Sequence, residues 1–168
     1  MEQKKMKEIV NRMFPCWNMF HNYSEAYNER IQILWIDIFK VNMLAVSDQS
    51  ISCYVEISMK KFYFSAIYKY NDGLNRRILW SHLKKIHKSI QMEPWILAGD
   101  FNVIVKANDS PSFTDTVVPN SDIKDFTKSK DQLSKFDHAA SGPLFTWTNK
   151  HSEGFIAKKL DRVLINDV

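Results

Sequence analysis

Ile51, Cys53, Val55, Ile57 and Met59 alternate without a break with Ser52, Tyr54, Glu56 and Ser58. A period of two over this stretch predicts a half-buried β-strand. Lys60-Lys61 supplies a short turn into a second strand over 62–70, so the two runs predict a hairpin. After Asn71-Asp72-Gly73 the period changes. Leu79, Leu83, Ile86 and Ile90 recur at helical spacing, predicting a helix over 76–90 with Asn75 as N-cap and Pro94 beyond its end. A helix is also predicted over 2–14, with Met6, Ile9, Val10 and Met13 on one face and Pro15 as its stop. A weaker one is predicted from Asp122 to Phe136. Trp95-Ile96-Leu97-Ala98 is wholly apolar, the pattern of a short strand buried on both faces. Runs at 31–36, 144–148 and 160–165 are β-type by their branched and aromatic residues. The polar stretches 22–29 and 106–119 read as turn and loop, and there are no internal repeats. Strands with interspersed helices predict an α+β or layered α/β domain.

Composition narrows the class. The chain has 168 residues, of which 45% are hydrophobic, including eleven Phe, six Tyr and five Trp, so it can bury a core and is not disordered as a whole. No apolar run approaches the roughly 18 residues of a membrane span. A charged start, Glu2-Gln3-Lys4-Lys5, stands where a secretory signal needs apolar residues, so an intracellular location, nucleus or cytoplasm, is expected. Cys16 and Cys53 lack the spacing of a metal site and are too few for a disulfide framework, so no disulfide-linked partner is expected. The net charge of +4 is compatible with a phosphate-bearing partner and does not by itself demand one. Only four glycines are present, so most turns fall to Asn, Asp, Ser and Pro.

Asp100 and Asn102 stand out chemically. An apolar strand ending in Gly99-Asp100-Phe101-Asn102 puts a carboxylate at the rim of a sheet, where ligands sit. The Asp oxygens suit Mg²⁺ or a proton from water, and an Asn two positions on can donate to a phosphoryl oxygen. Gly99, Asp100 and Asn102 are also ordinary turn formers, and both readings account for them. His82 and His87 share a helix but sit five apart, so they do not converge on a metal. His21, His138 and His151 have no partner spacing. No nucleophile elbow or Gly-rich phosphate loop occurs. Among the aromatics, Tyr68 and Trp147 near strand ends can pack in the core or stack on bases.

Three blocks taken in order carry a resemblance: Pro94 to Asn102, then Gly142-Pro143-Leu144-Phe145-Thr146-Trp147-Thr148-Asn149, then Lys159-Leu160-Asp161-Arg162-Val163-Leu164-Ile165-Asn166. With upstream blocks at Arg30-Ile31, Leu34-Trp35, 49–56 and Ser65-Ala66-Ile67-Tyr68, the chain resembles the endonuclease/exonuclease/phosphatase superfamily over about residues 15 to 168. In detail it is similar to the endonuclease domain of plant non-LTR (LINE-type) retroelements. The resemblance implies a four-layer α/β sandwich, two sheets face to face with helices outside, and Mg²⁺-dependent phosphodiester hydrolysis of DNA. It implies that Asp100 orients or deprotonates the attacking water, that Asn102 and Tyr68 contact the phosphate, and that Asp161 orients a histidine. Glu2 matches the metal-binding glutamate, and Trp147 and Asn149 fall where substrate is contacted. The family's first strand and its C-terminal Ser-Asp-His block have no match here, so a single partial domain over 1–168 is expected, truncated at both ends and inactive alone. A non-catalytic fragment that binds nucleic acid weakly is the other reading.

Overall fold

In the computed structural model, the structure describes residues 2–26, 31–70, 73–111, 121–151 and 153–168. The elements in order are α1 (Glu2–Met13), β1 (Asn18–His21), β2 (Gln32–Trp35), β3 (Lys40–Val46), β4 (Ser50–Ile57), β5 (Lys60–Tyr68), α2 (Gly73–Ile90), β6 (Trp95–Asp100), a 3₁₀ turn (Ala107–Asp109), α3 (Ser121–Gln132), β7 (Phe136–Asp137), β8 (Trp147–Thr148), β9 (Ala157–Lys158) and β10 (Asp161–Ile165). Six strands form one mixed sheet in the order β3-β4-β5-β6-β10-β7, while β1-β2 and β8-β9 are separate two-stranded ribbons. Of the two facing sheets expected from the resemblance, the described residues build one in full. Among them no helix is long and apolar enough to cross a membrane.

The predicted hairpin is present, displaced by two residues. β4 and β5 pair from Ser50↔Ile67 to Ile57↔Lys60, so the turn is Ser58-Met59, with Ser58 at φ 53°, and Lys60-Lys61 belong to the strand. Met59, expected in the sheet, is 96% exposed. The helix expected to be capped by Asn75 begins earlier, at Gly73, so Asn75 lies inside α2. Its carbonyl instead accepts a hydrogen bond from Gln49 Nε2 at 2.8 Å. α3 stops at Gln132, and Phe136, expected at its end, starts β7. On α1, Val10 is buried but Met13 is largely exposed, so the predicted stripe is covered only in part. The β-type run expected over 144–148 narrows to the two residues of β8.

The two faces of the sheet differ. On the back, Ile67, Trp95, Leu97 and Leu164 pack with Leu79, Leu83, Ile86 and Ile90 of α2 and Ile123 and Phe126 of α3. This is where the 3.6-residue stripe of α2 meets the period-two stripe of the strands. On the front, Ile51, Cys53 and Val55 of β4 are buried, Ile96 and Ala98 of β6 are half-buried, and Val163 of β10 is exposed. The strand expected to be buried on both faces is therefore buried on one, because cover on the front thins from β4 toward β10.

Candidate functional site

β5 and β6 run parallel with Tyr68 beside Asp100, and β10 runs antiparallel to β6 with Asp161 beside the same Asp100. Side chains of adjacent partners point to one face, so Tyr68, Asp100 and Asp161 form one row across three strands at the rim of the front face. Tyr68 and Asp161 are 93 residues apart in sequence; only the crossover through α2 and the return on β10 brings them together.

The backbone around Asp100 is held from three sides. Asp100 O accepts from Lys69 N at 2.9 Å, Leu160 O accepts from Phe101 N at 3.0 Å, and the fully buried Phe101 ring lies among Trp80 and Phe126. Gly99 has φ 135°, and a Cβ there would stand 2.1 Å from the carbonyl oxygen of Ile67. Only glycine permits that approach of β5 to β6. Asn102 takes a left-handed φ of 49°, which Asn tolerates better than most residues, and its N–H donates to Asp100 Oδ1 at 2.7 Å. Asn102 Nδ2 reaches the Lys69 carbonyl at 3.5 Å.

Burial raises the Asp100 pKa above the ordinary carboxylate value. The Asn102 N–H pulls it back, the neighbouring Asp161 adds to the rise, and Lys69 opposes it. Asp161 itself is exposed. Its backbone N–H, with that of Leu160, donates to Thr146 Oγ1, each at 3.1 Å. The adjacent Arg162 points to the back of the sheet and pairs with Asp109 at 2.6 Å, so it does not neutralise Asp161.

The other expected residues fare differently. Glu2 opens α1, and its side chain lies outside the described residues. Trp147 is 43% exposed on the β8-β9 ribbon, with Lys158 Nζ 5.5 Å from its ring. The Asn149 side chain is committed to the ribbon's loop: Nδ2 donates to Gly154 O at 2.8 Å, and Oδ1 accepts from Ile156 N at 3.0 Å. Among the described residues no group of three or more His, Cys, Asp or Glu side chains could hold a metal ion.

Three supporting residues escaped the sequence reading. Gln49, buried, accepts from Tyr68 N through its carbonyl at 3.0 Å and from Tyr70 N through Oε1 at 3.1 Å, which fixes the chain on both sides of Lys69. Asp109 Oδ2 accepts from Val105 N and Lys106 N, both at 2.8 Å, and from Arg162 Nη2, pinning the loop after Asn102 to β10. Asn22, fully buried, bonds to the carbonyls of Ser47 and Asp48 and to the N–H of Ile31, tying β1-β2 to the β3-β4 turn. A buried polar residue in a turn-like segment is the available signal for each, and it does not name a partner.

No family model matches the chain, and no curated protein does. Solved structures do. The endonuclease domain of TRAS1, a telomere-specific non-LTR retrotransposon, superposes with a TM-score of 0.75 at 10% identity over 98% of this chain and 78% of that one. The AP endonuclease LMAP from Leishmania major gives 0.72 at 8% identity over 98% of this chain and 66% of that one. An endonuclease/exonuclease/phosphatase family protein from Bacteroides thetaiotaomicron gives 0.57 at 14% identity over 95% and 64%. The chain thus has the α+β fold of the endonuclease/exonuclease/phosphatase type, and it spans about two thirds of the length of the last two.

Proposed function

We propose that the row Tyr68–Asp100–Asp161, with Asn102, is the phosphodiester site of a DNA endonuclease of retroelement origin. The register that sets these side chains on one rung is the observation that carries the reading. Two nuclease structures among the fold's neighbours support it, one of them from a retrotransposon. Asp100 is the group that takes a proton from water, since a raised carboxylate pKa makes a stronger base. The Asn102 amide and the Tyr68 hydroxyl face the phosphate, and Trp147 offers a stacking surface. Glu2 is the candidate ligand for a hard cation such as Mg²⁺ at the acidic rim where Asp100 and Asp161 stand side by side. Bound there, the metal would supply charge stabilisation to the phosphoryl oxygens.

Plasmid nicking with and without EDTA tests the reading. Mg²⁺-dependent nicking is expected to fall at least ~100-fold in Asp100→Ala, the usual scale for a lost general base. Nicking that survives this substitution overturns the assignment. The second reading is a chain that binds DNA weakly through its net charge of +4 without cutting it. It predicts salt-dependent DNA binding and no nicking at any Mg²⁺ concentration.

A further inference from the structure

A cleft of about 230 Å³ opens over β10 beside Asp161, with Gly99 of β6 on one side and Asp137 of β7 on the other. Its wall includes His138, Ala140, Thr146, Lys159 and Val163 as well as Asp161. Val163 O accepts from His138 N at 2.8 Å, so His138 sits across from Val163 and diagonal to Asp161 on the front of the sheet.

The charges around this cleft sort into engaged and unengaged. Asp137 is matched by Lys130 at 3.5 Å and Arg162 at 3.4 Å, and Arg162 by Asp109. The Lys159 ammonium and the His138 imidazole have no partner among the described residues. Thr146 Oγ1 accepts two backbone N–H groups, which occupies its lone pairs and leaves its own proton to point elsewhere. Three donors therefore border one cleft with a single unmatched carboxylate, Asp161, at its mouth.

We propose that this cleft is a second phosphate subsite, which holds the phosphodiester next along the DNA strand from the one facing Asp100. The inference rests on the reading of the row given above. Neighbouring strands lie ~4.8 Å apart, so the cleft over β10 adjoins the row that ends in Asp161. Lys159 supplies a point charge, while His138 and Thr146 supply directed donors. Asp161 sets the selectivity. Its charge repels a phosphate dianion more than a singly charged diester, so the cleft favours an internal phosphodiester over free phosphate.

The test uses the full chain in EDTA and a labelled single-stranded oligodeoxynucleotide without terminal phosphates. Affinity is followed by fluorescence anisotropy across a salt series, and the His138 ring protons by NMR. Lys159→Met and His138→Ala are each expected to weaken binding about 3–10-fold. Lys159→Met should also lower the salt slope by ~0.7, the loss of one single-strand phosphate contact. The His138 signals should move with oligonucleotide at concentrations where inorganic phosphate leaves them in place. Thermal melts of both variants check that they fold. If both variants bind like the parent and the His138 signals stay put, while Trp147→Ala weakens binding, the subsite is wrong and the reading of the row survives. Inorganic phosphate binding more tightly than the oligonucleotide overturns the subsite too. A parent chain that does not bind the oligonucleotide at all removes both.

Discussion

Asp161 and Arg162 are neighbours in the chain, and β10 sends them to opposite faces of one sheet. Behind the sheet, the Arg162 guanidinium is almost wholly buried; it donates to Asp109 and Asp137 and lies over the Phe126 ring. The same matching recurs at the far end of β6 and β10. There Lys135 Nζ donates to Trp95 O and Asn166 Oδ1, both at 2.8 Å, and Asn166 also accepts from Trp95 N and donates to Glu93 O. In front, Asp100 and Asp161 stand side by side with like charge. Matched polar groups hold the architecture, and unmatched ones at a rim remain available to a ligand. The two faces should therefore answer oppositely to substitution.

The largest effect is expected behind the sheet. Asp109→Ala leaves a buried arginine with only its longer contact to Asp137 and two loop N–H groups without an acceptor, and should cost about 3–5 kcal/mol in urea unfolding. Asn166→Ala strips partners from the Trp95 N–H and Lys135, with an expected loss of about 1–3 kcal/mol by the same assay.

Lys135 gives the comparison a pH axis. Burial pushes its pKa down to about 7, below the ordinary lysine value of 10.5. Between those pH values the unfolded chain binds a proton that the folded chain does not, so this group makes stability rise with pH from about 7 toward 10.5. Below about pH 7 its contribution is flat at the low end. Lys135→Met should flatten that rise when unfolding is measured at pH 7 and pH 9; an identical pH dependence in parent and variant would show the ammonium to be comfortable where it lies.

In front, the sign reverses. The Asp100 pKa is raised, so the folded chain holds the proton more tightly than the unfolded one, and stability from this group is lost as pH rises above the ordinary carboxylate value. Asp100→Asn keeps an oxygen for the Asn102 N–H and removes the repulsion, so a slightly higher melting temperature at pH 7 is expected, with a gain of roughly 0.5 kcal/mol. Asp161→Asn should change stability by less than ~0.5 kcal/mol, because its exposed carboxylate has no ion-pair partner among the described residues. A loss of several degrees in that variant would reveal a pairing on the front face and erase the contrast.

What the sequence disclosed follows from periodicity. β4 announces itself through unbroken alternation, and β6 through an apolar run ending in Gly99-Asp100. β3 leaves no clean period, because Lys40–Val46 carries an irregularity between Met43 and Ala45 that breaks the alternation. β7 hid behind a helical pattern, since two residues are too few to set a period of their own. In the site, Asp100 and Asn102 were visible as chemistry at a strand end, and Tyr68 and Asp161 through resemblance. The bonds of Gln49, Asp109 and Lys135 were not visible, because each joins residues separated by 20 or more positions, or depends on a loop's shape, and neither leaves a pattern in the chain.

Thr146 has a mechanical consequence. One hydroxyl oxygen takes the N–H groups of both Leu160 and Asp161, and the next residue, Trp147, begins the exposed ribbon. Ribbon and rim strand, already continuous through Lys159-Leu160, are thus riveted a second time by this hydroxyl. A load applied to the indole of Trp147 is carried through that rivet to the Asp161 backbone instead of being absorbed by a slack loop, so the ribbon works as a lever arm whose fulcrum stands beside the row. Thr146→Val keeps the size of the side chain and removes the rivet, which leaves the arm joined to the strand through Lys159-Leu160 alone.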